Sequence, residues 1–195
     1  MSRTLHRNHA TMRYDLITTT YMPGLAATAA QAAASAETAG LAGYWTSEIG
    51  TLNQTVELWS QPRPVPAGEP LSQESHKLTA IVGPTAPEFS GGIYELRHYR
   101  LRPGATSAWV AAFTDKLPAR EKYSKIVGLF ASDPGEADRV VHIWAYPDLN
   151  TRVAARAAAL KDPEWLAFLA ISRGQKFAVW QDNAILLPAA HSPLK

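Results

Sequence analysis

The residues of this chain best suited to chemistry sit on short alternating stretches. In Val140–Val141–His142–Ile143–Trp144–Ala145–Tyr146, strand parity puts Val141, Ile143 and Ala145 on one face and Val140, His142, Trp144 and Tyr146 on the other. A titratable imidazole between large aromatics suits the wall of a cavity better than a solvated sheet face. Thr55–Val56–Glu57–Leu58–Trp59 repeats the pattern with Glu57 in the place of His142. Within Ile93–Leu101 either Glu95, Arg97 and Tyr99 or Tyr94, Leu96, His98 and Arg100 face inward. Tyr94 and Leu96 suit packing under helices, which favours the first set, with Asp15 as the counterpart of Glu95. His142, Glu57 and Arg97 are therefore the catalytic candidates. His142 or Glu57 would act as general base on an acidic C–H or O–H, and Arg97 would hold the enolate or carboxylate. Asp15, Trp59, Glu95, Tyr99, Trp144 and Tyr146 complete the expected pocket. All nine are expected to face the interior of one barrel. The competing reading is structural: Arg97 pairs with Glu57 or Glu95, and His142 bonds a backbone group or water within a filled barrel.

The elements that must position them form an internal repeat. Tyr14–Asp15–Leu16 matches Tyr94–Glu95–Leu96, and Pro23–Gly24 matches Pro103–Gly104, at an offset of 80. Gly43–Tyr44–Trp45 matches Gly128–Leu129–Phe130, and Leu58–Trp59 matches Ile143–Trp144, at an offset of 85. Ala80–Ile81–Val82–Gly83–Pro84 resembles Ala184–Ile185–Leu186–Leu187–Pro188. Landmarks in one order, with length changes only between elements, point to a duplication.

Each unit reads as strand, helix, strand, strand, helix, strand. In the second, Thr106 is the expected N-cap of a helix whose apolar face is Trp109, Phe113 and Leu117, and Pro118 kinks or ends it. Asp133–Pro134–Gly135 turns a hairpin, Thr151–Leu160 is an Ala-rich helix, and Asp162–Pro163 starts another. In the first unit a helix is expected over Leu25–Ala39, while the proline-rich stretch Gln61–Gly68 leaves the second helix vestigial. Residues 1–12 read as a disordered tail, with Met12 an alternative start, 13–90 as the first unit and 91–195 as the second. Helices that cover one face of each sheet leave the other face bare. The fold class is thus α+β: two ferredoxin-like βαββαβ units whose antiparallel sheets pack into an intramolecular pseudo-dimeric α+β barrel.

Composition excludes several classes of function. A net charge of +2 without a basic helix or RNP-like run argues against nucleic acid. No apolar run spans a bilayer. With no cysteine there is no disulfide, thiolate nucleophile or Cys-based metal site, and a cytoplasmic location is expected. His6, His9, His76 and His191 lack metal-ligand spacing, and there is no Gly-x-Gly-x-x-Gly, P-loop or Gly-x-Ser-x-Gly, so no cofactor or metal is expected. Haem binding would need His142 or His98 as axial ligand. Arg152 and Arg156, one turn apart, read as a solvated helix face, and His98 as a helix-side or rim residue.

Taken together, Tyr94–Glu95–Leu96–Arg97, Arg102–Pro103–Gly104, Arg120–Glu121–Lys122–Tyr123, the His142 strand, Asp162–Pro163–Glu164–Trp165 and Ile185–Leu186–Leu187–Pro188 resemble the NIPSNAP family over residues 92–195. The first unit fits more loosely, best over Gly43–Gln54. The resemblance implies the dimeric α+β barrel superfamily, which also holds cofactor-independent monooxygenases, haem-degrading enzymes and small isomerases. It implies no settled chemistry. The expected function is binding of a small hydrophobic or enolisable ligand in the barrel interior, in a monomeric barrel or a homodimer of barrels. The alternatives are a monooxygenase or isomerase acting on an enolisable aromatic substrate, and an interaction module with a filled barrel.

Overall fold

The computed structural model describes residues 12–63 and 68–195. The expected tail over 1–11, with His6 and His9, and residues 64–67 of the proline-rich stretch lie outside the described residues. The chain runs β1 (Arg13–Thr20), α1 (Ala26–Ala33), β2 (Leu41–Ile49), β3 (Gln54–Trp59), β4 (Ser72–Val82), β5 (Ile93–Leu101), α2 (Thr106–Glu121), β6 (Ile126–Ser132), β7 (Arg139–Tyr146), α3 (Leu149–Ala159), α4 (Pro163–Gly174) and β8 (Ala178–Pro188). The eight strands close an antiparallel barrel in the order β1-β3-β2-β8-β5-β7-β6-β4. Each half has the ferredoxin-like order, β4-β1-β3-β2 and β8-β5-β7-β6, and the halves are sewn together by β2 with β8 and β4 with β6. Closure takes place within a single chain.

The lumen is built from the aliphatic parity set. Val141, Ile143 and Ala145 of β7 meet Leu16, Val56, Leu58, Leu78, Leu96 and Leu186 from the surrounding strands. One end is plugged by two aromatic pairs that cross between the halves, Tyr14 edge-on to Phe130 (centroids 5.5 Å) and Trp45 tilted on Tyr94 (5.4 Å). Trp45 lies over Gly43 and Phe130 over Gly128, each glycine sitting at a register shift of its strand, where an added Cβ would strike the ring. This is the physical content of the repeated Gly-x-aromatic triplet.

The opposite parity set faces the helices, which overturns the expected placement. Tyr99, Val140, Trp144 and Tyr146 pack against Trp109, Phe113 and Leu117 of α2 and Trp165 and Phe168 of α4. His142 is close to both Trp109 and Phe113. His142, Arg97, Glu95, Tyr99, Trp144 and Tyr146 thus lie outside the lumen, under the second unit's helices. Glu57, Trp59 and Asp15 lie on the equivalent face of the first unit. Opposite walls converge in an eight-stranded lumen, which favours compact aliphatic residues, whereas the wide aromatic stripe of α2 needs large partners.

Local signals explain the helix ends. Asp162 caps α4, accepting from the N–H groups of Glu164 (2.9 Å) and Trp165 (3.3 Å), with Pro163 in the first turn. Asp148 caps α3 through Thr151 N–H (2.7 Å). Thr106 is not the cap of α2; Ala105 holds that position and the Thr106 hydroxyl bonds Asp138. Pro118 sits inside the last turn of α2 without ending it. In the first unit α1 has only eight residues, and among the described residues no helix separates β3 from β4. The length foreseen for a vestigial helix goes instead into β4, which starts at Ser72.

Candidate functional site

Between the second unit's sheet and its helices lies a cavity of about 170 Å³, bordered by Arg97, Tyr99, Trp109, Arg120, His142, Trp144 and Arg156 among others. Beside it Glu95, fully buried, is the meeting point of three guanidinium groups. Its Oε1 accepts from Arg97 (2.7 Å), Arg152 (2.7 Å) and Arg156 (3.4 Å), while Oε2 has no partner among the described residues. Burial alone would raise the pKa of this carboxyl, but Arg152, Arg97 and Arg156 outweigh it and hold the pKa below the ordinary value. Arg97 also donates through Nε to the Tyr99 hydroxyl (2.7 Å).

A fourth arginine has no acidic partner. Arg120, 4% exposed, donates to Ser124 Oγ (2.7 Å) and Tyr146 Oη (3.1 Å) and lies over the Trp144 ring at 4.4 Å. No ion pair reaches it among the described residues. Three guanidinium groups therefore converge on one carboxylate and a fourth stands without one, and none of the residues lining the cavity is acidic. A buried cation left without a counter-charge is uncommon.

His142 lies at the centre of the wall. The Trp144 indole N–H donates to its Nδ1 at 2.7 Å, which assigns the proton of the neutral ring to Nε2. Burial, then Arg97, Arg120 and Arg156, drives the His142 pKa well below the ordinary value, so the ring stays neutral. Its Nε2–H has no acceptor among the described residues, nor has the Trp109 indole N–H, and both residues line the cavity. The cavity thus presents buried donors and positive charge together, the chemistry that receives an anionic oxygen.

The first unit repeats this geometry and closes it. Trp59 Nε1 donates to Glu57 Oε2 at 2.8 Å, the same two-residue contact as Trp144 to His142. Arg63 then grips both oxygens of Glu57, at 2.7 and 2.5 Å, with both side chains nearly buried. Glu57 therefore has its partner within its own unit and does not join His142 and Arg97. Asp15 is half-buried in register with Trp59, and among the described residues no carboxylate lines the cavity with His142.

Other expectations divide. Arg152 and Arg156 reach Glu95 and are not a solvated face. His98 and His76 line the open end of the barrel, while His191 packs on Tyr44 with ring centroids 4.6 Å apart. Arg120 was missed as a site residue, although it follows Trp109, Phe113 and Leu117 on one helical face, and that spacing was its signal. Among the described residues no cluster of His, Asp or Glu could hold a metal ion, and no helix is long and apolar enough to cross a membrane.

Fold and site together define a single-chain member of the α+β barrel class, with a basic, aromatic-walled cavity in its second half. The NIPSNAP family profile matches residues 94–193, just over half of the chain. The chain belongs to the NIPSNAP family, as the resemblance in its second unit implied. It is 35% identical over 106 residues to human protein NipSnap homolog 3B, a match covering 53% of this chain and 42% of that one. With the NipSnap homolog of Dictyostelium discoideum it shares 29% identity over 149 residues, 66% of each chain. A NIPSNAP family protein of unknown function from Agrobacterium tumefaciens superposes with a TM-score of 0.51 at 34% identity, over 57% of this chain and all of its own. A putative monooxygenase of Fusobacterium nucleatum superposes over 93% of this chain and 94% of its own, with a TM-score of 0.65 at 8% identity, which shows a shared fold alone.

Proposed function

We propose that the second unit binds a small molecule carrying an anionic oxygen, a carboxylate or an enolate, on an apolar or aromatic body. The observation that carries this reading is Arg120, a buried cation without an acidic partner, beside the unpaired N–H groups of His142 and Trp109. In this reading His142 is a hydrogen-bond donor rather than a base, because Trp144 occupies the lone pair of Nδ1. Arg97 positions Tyr99 and Glu95 and contributes charge. Tyr146 and Trp144 hold Arg120 in place. The first unit has no ligand role here, its site being filled by the Arg63–Glu57 pair. We read the chain as a tandem of two family-type units, supported by the matching strand orders and the crossed aromatic pairs, and as a cytoplasmic protein.

The test is calorimetric titration of the full chain with a panel of aromatic carboxylates and stable enols, repeated on Arg120→Met and His142→Ala. A ligand of the panel should bind the unaltered chain and lose about tenfold or more in affinity in each variant. A panel in which no ligand shows that loss overturns the reading.

A further inference from the structure

The lumen is plugged by aromatic rings at one end only. At the other, where β1 and β5 finish, it opens into a cavity of about 350 Å³ separate from the one under the helices. Its floor is aliphatic, formed by Leu16, Val56 and Leu96. Its walls differ. The second unit contributes His98, Arg100 and Arg139, whereas the positions at the same offsets in the first unit are Thr18, Thr20 and Gln54. The strand order sets β1 across the barrel from β5, and β3 across from β7. Across the lumen these cations face Thr18, Thr20 and Gln54, while Glu74 of β4 and Asp182 of β8 complete the lining. Two identical units would have set Arg139 against its own copy across the lumen; here Gln54 stands there instead.

Arg139 carries the argument. Its Nη1 lies 3.0 Å from His98 Nε2, and because a guanidinium only donates, the imidazole accepts. Its Nε is buried with no acceptor, and no carboxylate lies within ion-pair distance among the described residues. Glu136 and Glu74 act on it only at longer range. With Nη1 engaged, the unused edge is Nε with Nη2, whose two parallel N–H groups match a carboxylate. The rim is aromatic. Trp180 is edge-on to His98 (5.6 Å) and covered by the Arg100 guanidinium (4.7 Å), and His76 packs on His98 at 5.2 Å.

We propose that the open end of the barrel is a second small-molecule site, one that takes a compact carboxylate with a flat apolar body. The carboxylate sits on the free edge of Arg139 and the body lies over Leu16, Val56 and Leu96. This goes beyond the reading of the cavity under the helices and does not depend on it, since the two share no residue.

The test is a titration of the ¹⁵N-labelled full chain with sodium benzoate, and with benzamide as its uncharged counterpart, followed at the assigned Arg139 Nε–H resonance. Benzoate should move that resonance in a saturable way, with benzamide about tenfold weaker or worse. Arg139→Gln should abolish the effect of benzoate on the neighbouring His98 ring signals. Because that change removes the donor to His98 and could unfold the rim, Thr18→Phe serves as the second variant. It fills the opening from β1, across the barrel from β5, and should weaken benzoate by about tenfold. An Arg139 resonance unmoved at about 10 mM benzoate, equal effects of benzamide, or unchanged binding in Thr18→Phe would each overturn the proposal.

Discussion

Two buried arginines with opposite surroundings make the clearest prediction at the scale of single residues. Arg63 neutralises Glu57, which is 1% exposed, so Arg63→Met leaves an uncompensated carboxylate in the interior. The expected loss is about 3–5 kcal/mol in urea unfolding. Arg120 has no such dependent, so Arg120→Met should cost about 1 kcal/mol or less. Equal losses for the two would contradict this account of their surroundings. The histidines give a second prediction. Burial and then neighbouring arginines depress His142, and burial, Arg139, His76 and Arg100 push His98 down to about 4. The unfolded chain takes up these protons near pH 6.5 and the folded chain does not. Their contribution is complete above that pH and is lost on acidification below it, by up to about 1.4 kcal/mol per pH unit for each histidine, for His98 down to about pH 4. Urea melts at about pH 7.5 and pH 5 should show the fall; a flat profile would mean that both rings are solvated. From sequence, parity set His142, Arg97, Glu95 and Tyr99 on one face of β5 and β7, and they share that face, whereas Glu57 lies apart with Arg63. Parity could not say which face meets the lumen, because alternation is blind to what lies on either side of a sheet.

Among the elements, the bulged strands β2 and β6 depend on bare glycines. Trp45 and Phe130 fold back over Gly43 and Gly128 and then plug the barrel. Gly43→Ala or Gly128→Ala forces each ring to move, and about 1–3 kcal/mol should be lost in thermal or urea unfolding. A neutral result at either site would show that the rings have room to adjust. The repeated Gly-x-aromatic triplet and the Asp162–Pro163 start of α4 were legible because each is a local steric or hydrogen-bonding device. The end of α1 was not. Its alanines continue to Ala36, but the helix stops at Ala33, since alanine propensity without a wide apolar face to bury gives little stability. The extension of β4 was hidden for a related reason, its outer residues being polar and its partners, β1 and β6, remote in sequence.

For the whole molecule, the barrel was legible because two units with one helix-covered face each have few ways to hide the other. The arginine cluster was not legible, because it forms only where α3 brings Arg152 and Arg156 over β5. A fragment of residues 91–195 should leave β6 and β8 without their partners β4 and β2 and uncover Tyr94, Leu96, Val141 and Ile143. Light scattering should find it as a dimer or larger species; a folded monomer would contradict the packing described.

Closure within one chain also changes how the protein responds to dilution. A barrel assembled from two chains is governed by an association equilibrium, so its melting temperature falls as protein is diluted. Here both seams, β2 with β8 and β4 with β6, are intramolecular. The melting temperature should therefore stay constant over a roughly hundredfold dilution. A drift with concentration would reveal a further assembly step outside the barrel. The architecture can thus persist at very low copy number, where a two-chain counterpart would come apart.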